Sequence, residues 1–353
     1  MQRRILAFGI VVSGLLAAVA THREFPVADS PVNWRPPIVG VSRELVQVSV
    51  DSVAGTIELS IGPVTLPARL PGLRIPIQVA DLPVHGWLRG FSWEIRDAGG
   101  SIHSRDLLHH FNVIDPDRRE LFSPVARRVV AFGRETEGQR LPAFVGYPLM
   151  EHTRFLLVTM FANPGTEPID SAYLRVRLDF TPYKRAAQPL SVFPFHLDVA
   201  GPVGEKDFAV PPGRTVRSWE GSPAVDARIL AIGGHVHDYA RMLRLEDLTA
   251  GRVIWQAQLD ENEGRVNAVS RTMAWKRGGI RLYANHRYRA LVEYNNPGPH
   301  PTPHGGMGVI GGIVLARGSF PPFDRKNIAY NTDLANVISA PGRASGGHGH
   351  GAH

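Results

Sequence analysis

Short segments in which apolar and polar residues alternate recur along most of the chain. Residues 45–50 and 56–61 both alternate in this way, and a turn-forming sequence separates them. An apolar period of two is typical of β-strands that bury one face. Residues 155–161 are instead apolar almost throughout and are followed by Asn-Pro-Gly, which is typical of a fully buried strand.

The same reasoning predicts strands in both halves of the chain. No apolar pattern with a 3.6-residue period continues beyond about three turns, so a helical bundle is not expected. Closely spaced strands without intervening helices indicate an all-β protein built from antiparallel β-sandwiches. The further predicted strands are 91–95, 173–180, 227–232, 242–248, 253–259, 288–294 and 309–315.

The 353 residues are sufficient for two domains of ordinary size. A polar stretch at 181–189 predicts the boundary between a first β-sandwich, residues 41–185, and a second, residues 186–325. A proline-rich segment, residues 21–40, precedes the first sandwich. The segment 326–353 is rich in glycine and histidine towards its end, and we expect it to be flexible.

The first twenty residues have the features of a signal peptide. Arg3 and Arg4 precede an apolar run over 5–20, which ends in a small-residue cleavage pattern, Ala-Val-Ala. The run is short for a transmembrane helix, which needs about 20 residues. We therefore expect export to the periplasm or beyond the cell, with an uncleaved N-terminal anchor as the alternative. No later segment is expected to span a membrane.

Composition limits the chemistry further. The chain contains no cysteine, which excludes disulfides, zinc–thiolate sites, iron–sulfur clusters and thiol nucleophiles. It contains 15 histidines, so a metal would be held mainly by imidazoles. The net charge is +7, but lysines and arginines are spread singly, often beside acidic residues, so nucleic acid is not an expected partner.

The most specific local signal is Gly-Gly-His-Val-His-Asp-Tyr, residues 233–239. Residues two apart on a strand point to the same side, so His235 and His237 can present two imidazoles to one metal ion. Asp238 is a candidate hydrogen-bond partner for an imidazole, although strand alternation directs it to the other face. The alternative is a pair of solvent-facing histidines on an exposed strand.

Two further candidates are weaker. His109 and His110 are adjacent, so on a regular strand they face opposite sides and can share a metal only if the backbone twists there. The alternative is one buried and one exposed histidine. Met307 lies between glycines, where a core methionine is less expected, and its soft thioether suits Cu(I). A packing role is the alternative for this methionine.

These motifs together resemble the copper type II ascorbate-dependent monooxygenases. The pattern is a His-His pair in the first half, His-x-His early in the second half and a methionine on the next-to-last strand. Supporting segments are a strand ending in Asn-Pro at 163–164, Leu-Asp-Phe-Thr-Pro at 178–182, and Tyr-Asn at 294–295. The resemblance extends over about residues 91–318, roughly two thirds of the chain.

The resemblance implies two tandem jelly-roll-like β-sandwiches with two copper ions facing each other across a cleft. His109 and His110 would bind an electron-transfer copper. His235, His237 and Met307 would bind the oxygen-activating copper and so form the catalytic set. The implied partners are O₂, a small organic substrate and a reductant such as ascorbate.

The sequence departs from the family at several points. Its animal members are rich in disulfides, and this chain has no cysteine. The first copper site of the family has a third histidine, whereas Met160 stands near that place here and His152 is the nearest histidine upstream. Ile313 is nearer than Met307 to the position of the family's methionine.

Three functions therefore remain open at this point. The first is a copper-dependent monooxygenase. The second is a non-catalytic, exported copper-binding protein on the same fold. The third is an extracellular adhesion or carbohydrate-binding sandwich whose histidines are incidental. Copper content and reductant-dependent O₂ consumption distinguish the three.

Overall fold

The computed structural model describes residues 41–184, 188–204, 206–322 and 324–339. Strands dominate this part of the chain, and nearly all of them pair antiparallel, so the predicted all-β sandwich fold is confirmed. The predicted signal peptide and the proline-rich segment lie outside the described residues.

The first half forms two facing sheets. One has the strand order β1-β5-β12-β8-β9, with β4 also paired to β12. The other has the order β14-β11-β6-β13-β3-β2, with β7 and β10 also paired to β6. The strands are β1 (Val41–Ser42), β2 (Val46–Asp51), β3 (Thr56–Leu66), β4 (Leu70–Arg74), β5 (Ile77–Leu82), β6 (Gly86–Arg96), β7 (Ile102–His103), β8 (Leu108–Arg119), β9 (Ala126–Gly133), β10 (Gln139–Arg140), β11 (Val145–Leu149), β12 (Thr153–Asn163), β13 (Ile169–Pro182) and β14 (Leu190–Ser191).

The second half forms a second sandwich. Its larger sheets have the orders β15-β26-β18-β23 and β17-β24-β19-β20, and two small two-stranded sheets, β16-β25 and β21-β22, complete it. The strands are β15 (Phe193–Asp198), β16 (Phe208–Val210), β17 (Gly213–Gly221), β18 (Ala227–Val236), β19 (Ala240–Asp247), β20 (Arg252–Gln256), β21 (Leu259–Asn262), β22 (Arg265–Val269), β23 (Ile280–Leu282), β24 (Tyr288–Asn296), β25 (Thr302–Gly306) and β26 (Gly308–Ala316).

The chain crosses repeatedly between the two sheets of each sandwich. In the first half, β5 and β12 are neighbours in one sheet, whereas β6, β11 and β13 belong to the other. Such crossing connections are typical of Greek-key and jelly-roll sandwiches. Strands that follow one another in the sequence therefore often lie in different sheets, and strands far apart in the sequence become neighbours.

Alternation along the strands accounts for the cores. On β3, Ile57, Leu59 and Ile61 are fully buried, and the polar residues between them point outward. β13 repeats the pattern against β3 and β6. Burial of each such side chain stabilises the fold by about 1.5–3 kcal/mol, which explains why the predicted strands in this region match the observed ones.

Two boundaries differ from the predictions. β14 still pairs with β11 of the first sandwich, so the first sandwich continues to Ser191 rather than ending at residue 185. The strand predicted over 253–259 is two strands, because β20 pairs with β19 while β21 pairs with β22. Between them, the Ala257 N–H donates instead to the carbonyl of Leu243.

The segment after residue 325 is expected to be flexible, but its first part is helical in the structure. Helix α1 (Ile328–Ser339) packs on the outer face of the first sandwich. Its buried Tyr330, with Leu334 and Val337, contacts Ile114 and Leu156. These helix residues are four and three residues apart, which places them on one face of a helix. The segment is too short for this spacing to predict a helix from the sequence. Within the described residues, no helix is long and apolar enough to cross a membrane.

A buried ion pair attaches α1 to β9. The guanidinium of Arg128 donates two hydrogen bonds to the carboxylate of Asp333, at 2.7 and 2.6 Å. Their side chains are 8% and 1% exposed. Arg74 also donates to the carbonyl of Val337 near the end of the helix. Two arginines of the first sandwich therefore hold the helix in place.

Replacing Asp333 with Ala should destabilise the protein by about 3–5 kcal/mol, because Arg128 would keep a buried charge without its partner. The measurement is chemical denaturation followed by fluorescence. Glu58→Ala is the matched control, since it breaks an ion pair with Arg175 whose side chains are both 44% exposed. That control should cost less than about 1 kcal/mol. Equal losses in the two variants would contradict the role assigned to the buried pair.

Candidate metal centre

A cavity of about 380 Å³ separates the two sandwiches. One wall is formed by β12, β8 and β9 of the first sandwich, and the other by β15, β26 and β18 of the second. Five histidines line it: His109 and His110 from the first wall, and His196, His235 and His237 from the second. All of them except His196 are candidate ligands in the sequence.

A β-bulge explains how two adjacent histidines face the same space. In the ladder between β8 and β12, His110 pairs with Met160 and Leu108 pairs with Phe161. His109 is therefore the extra residue on β8, and such a bulge bends the strand and increases its twist. The twist required for the two imidazoles to share a metal is thus present, and the two rings lie 4.2 Å apart between centroids.

The second pair lies at the end of β18, as strand alternation predicts. His235 is paired with Val309, and His237 follows the last residue of the strand. Between them, Val236 is 3% exposed and points into the core of the second sandwich. Gly234 allows the close packing behind, because a Cβ there would lie 2.3 Å from a methyl of Leu243.

The imidazoles of the four candidate ligands lie close together. The Nε2 of His110 lies 3.2 Å from the Nε2 of His235 and 3.4 Å from the Nε2 of His237. One ligand atom each of His109, His110 and His237 lies within 4.8 Å of the others. Both histidine pairs therefore belong to one cluster, whereas the family resemblance implies two copper sites separated by a cleft.

Both methionines line the cavity beside this cluster. The sulfur of Met160 and the Nδ1 of His109 each lie within 4 Å of the position that a Cβ on Gly72 would occupy. Met307 lies between the last two strands, β25 and β26, rather than within one. His152, the alternative ligand for the first site, is 76% exposed in a turn and is not part of the cluster.

Glu135 is a residue of the site that no sequence motif indicates. Its carboxylate lies 2.7 Å from the Nδ1 of His235, and it is 5% exposed. Thr136 donates a further hydrogen bond to the same carboxylate. A carboxylate on Nδ1 fixes the imidazole so that Nε2 is directed at a metal. Asp238, the candidate for such a role, instead accepts hydrogen bonds from Arg134 and the backbone of Val266.

The hydroxyl of Tyr294 connects His237 to Met307. It accepts hydrogen bonds from the backbone N–H of His237, at 3.0 Å, and of Met307, at 2.9 Å, and it donates to the carbonyl of Met307. Burial raises the pKa of this tyrosine to about 12, so it remains protonated and can donate. The chain just beyond β18 is therefore fixed relative to the start of β26.

The electrostatics keep three of the four histidines neutral. Burial, together with the charge of His235, lowers the pKa of His109 to about 4 and that of His237 to about 3. Burial also lowers the pKa of His110 well below its ordinary value. Burial acts in the same direction on His235, but the carboxylate of Glu135 outweighs it and raises that pKa. Neutral imidazoles are the form that binds metal.

The donor set fits a single transition-metal ion. Two imidazole nitrogens that each lie about 2.0 Å from one ion are roughly 3.3 Å apart when the ligands are tetrahedral. The observed separations of 3.2 and 3.4 Å agree with this value. Imidazoles suit zinc, copper, iron and nickel.

Comparison with known proteins adds no function. No family model matches the chain, and no curated protein matches it. Among solved structures, it is similar to the major capsid protein P2 of bacteriophage PM2, with TM-score 0.34 and 10% identity over 75% of this chain and 100% of that chain. A protein of Parabacteroides distasonis described as secreted has TM-score 0.19 and 9% identity, with coverages of 78% and 93%. Similarities this low carry no argument.

Glu135→Gln should weaken metal binding about 10–100-fold, because the neutral amide holds the Nδ1–H of His235 less strongly than the carboxylate does. The measurement is a competition titration of metal-free protein with a chromogenic chelator. Glu137→Gln is the matched control, since Glu137 is 77% exposed and does not contact the cluster. Equal affinity in Glu135→Gln and the unmodified protein would show that Glu135 does not support the site.

Proposed function

We propose that this protein binds one copper ion between its two β-sandwiches. The observation that carries the proposal is the proximity of imidazoles from different sandwiches, since the Nε2 of His110 lies 3.2 Å from that of His235 and 3.4 Å from that of His237. One ligand atom each of His109, His110 and His237 lies within 4.8 Å of the others, so His235 is the fourth ligand candidate. The predicted signal peptide implies that the protein would bind this copper outside the cytoplasm.

The protein side chains determine how the ion is held. Glu135 orients His235, and Tyr294 fixes the backbone of His237. The bulge at His109 and the strand position of His110 complete the set from the opposite wall. When bound, copper supplies one-electron oxidation and reduction. Met160 and Met307, both in the cavity wall, favour its reduced form through their soft sulfurs.

The copper stoichiometry tests the proposal. Metal-free protein loaded with copper and then dialysed should retain one ion per chain by elemental analysis. His110→Ala should retain almost none, because His110 is the residue that contacts both histidines of β18. His152→Ala is the matched control and should retain one ion, since His152 is exposed and distant from the cluster.

Three other results would contradict it. Two ions per chain would restore the arrangement with separate sites. Retention of zinc in preference to copper from an equimolar mixture would show that the methionines do not influence the choice of metal. Retention of no metal would favour the third function, a sandwich whose histidines are incidental.

The cavity beside the histidines favours a second candidate function, copper-dependent oxidation of a small organic substrate by O₂. Its volume of about 380 Å³ lies within the range of small-molecule sites, about 300–1,000 Å³. Within the described residues, the four candidate histidines form one cluster, and no second group of three metal ligands is present. A reductant such as ascorbate would therefore have to reduce this copper directly.

Oxygen consumption separates the two functions. A monooxygenase loaded with copper should consume O₂ in the presence of ascorbate and a cavity-sized substrate, and the product should contain one atom of ¹⁸O from labelled O₂. His237→Ala should abolish this incorporation. The copper-loaded protein could instead be reduced by ascorbate and incorporate no ¹⁸O into any compound of a broad substrate panel. This result would favour non-catalytic copper binding.

A further inference from the structure

One wall of the cavity contains glycines at adjacent positions of neighbouring strands. On the wall formed by β18 and β26, Gly233 and Gly311 are directly paired. A Cβ built on Gly311 would meet only the carbonyl of Phe195, at 3.7 Å, which is ordinary van der Waals contact. The backbone of Gly311 has no left-handed conformation that requires glycine. Local packing therefore does not explain this glycine, whereas an occupant of the space beside it does.

The opposite wall and the ends of the cavity are largely apolar. Val158 and Met160 line it from β12, and Ile114 lines it from β8. Phe132 contributes from β9, and Val337 contributes from α1. Asn112, two residues after His110 on β8, is an uncharged polar side chain in the same wall.

The charged side chains in the walls, other than the histidines of the cluster, already have partners in the protein. Arg128 is paired with Asp333, Lys206 with Asp198, Arg271 with Glu137 and Glu135 with His235. Arg74 donates to a backbone carbonyl of α1 and also interacts electrostatically with Asp207. A charged ligand would lose its hydration on binding, and the charges in the walls are already engaged with other groups of the protein. Binding of an ion is therefore strongly unfavourable.

We propose that this cavity binds an uncharged, largely apolar small molecule, held against Val158, Ile114 and the glycine wall of β18 and β26. The histidine cluster lies at one end of the same space, so the molecule would be bound beside the metal. The bound molecule would be the substrate of the second candidate function, and only its oxidation rests on that proposed function. Binding itself does not require the metal.

Three probes with the same ring test the charge requirement: cyclohexylmethanol, cyclohexanecarboxylate and cyclohexylmethylammonium. Their binding to the full-length, metal-free protein is measured by calorimetry and by ligand-observed NMR. The alcohol should bind at least about tenfold more tightly than either ion, because only the ions must be desolvated without a partner. Equal or tighter binding of either ion would overturn the proposal, as would failure of the alcohol to bind.

Gly311→Val tests the location. Valine suits a strand and projects into the cavity, so it should weaken binding of the alcohol at least about tenfold while the protein keeps its denaturation midpoint. Gly99→Val, in an exposed turn, is the matched control and should bind the alcohol normally. Normal binding by Gly311→Val would overturn the proposed location. Loss of copper binding with retained alcohol binding would contradict the proposed function alone, so the two failures are distinguishable.

Discussion

The packing of one sandwich face against the other is the constraint on which the site depends. It places His110 of β8 beside His235 and His237 of β18, although 125 and 127 residues separate them in the chain. Neither wall alone presents more than two of the four imidazoles. Any change in the distance between the two faces would therefore alter the ligand set and the volume of the cavity together.

Holding several histidines this close has an energetic cost that the surroundings reduce. Neutral imidazoles avoid the repulsion that four charges would produce in a buried space, and burial maintains that neutrality at three of them. Glu135 compensates the fourth by accepting from His235. The cluster is consequently prepared for a cation, because neutral imidazoles can each form a coordinate bond to a bound ion. This is the physical basis of the copper proposal.

The second consequence of the interface is a space that the protein does not fill. Cores pack to high density, so a void of this size at an interface normally indicates a binding site or a loss of stability. Paired glycines on one wall and internally neutralised charges around it indicate that a neutral molecule is accommodated there. Helix α1, held by Arg128 and Arg74, contributes Val337 to the wall of this space.

The alternation of apolar and polar residues was sufficient to predict the strands and the all-β class, because side-chain direction along a strand is a local property. The same rule placed His235 and His237 on one face, and the choice of all four histidines came from local motifs. Tertiary structure alone decided the rest. The bulge at His109 depends on the register between β8 and β12, and Glu135 reaches His235 across 100 residues of sequence. The proximity of the two histidine pairs, which the family resemblance assigns to separate sites, depends on how two sheets pack. Packing between sheets produces no periodic pattern in the sequence of either strand.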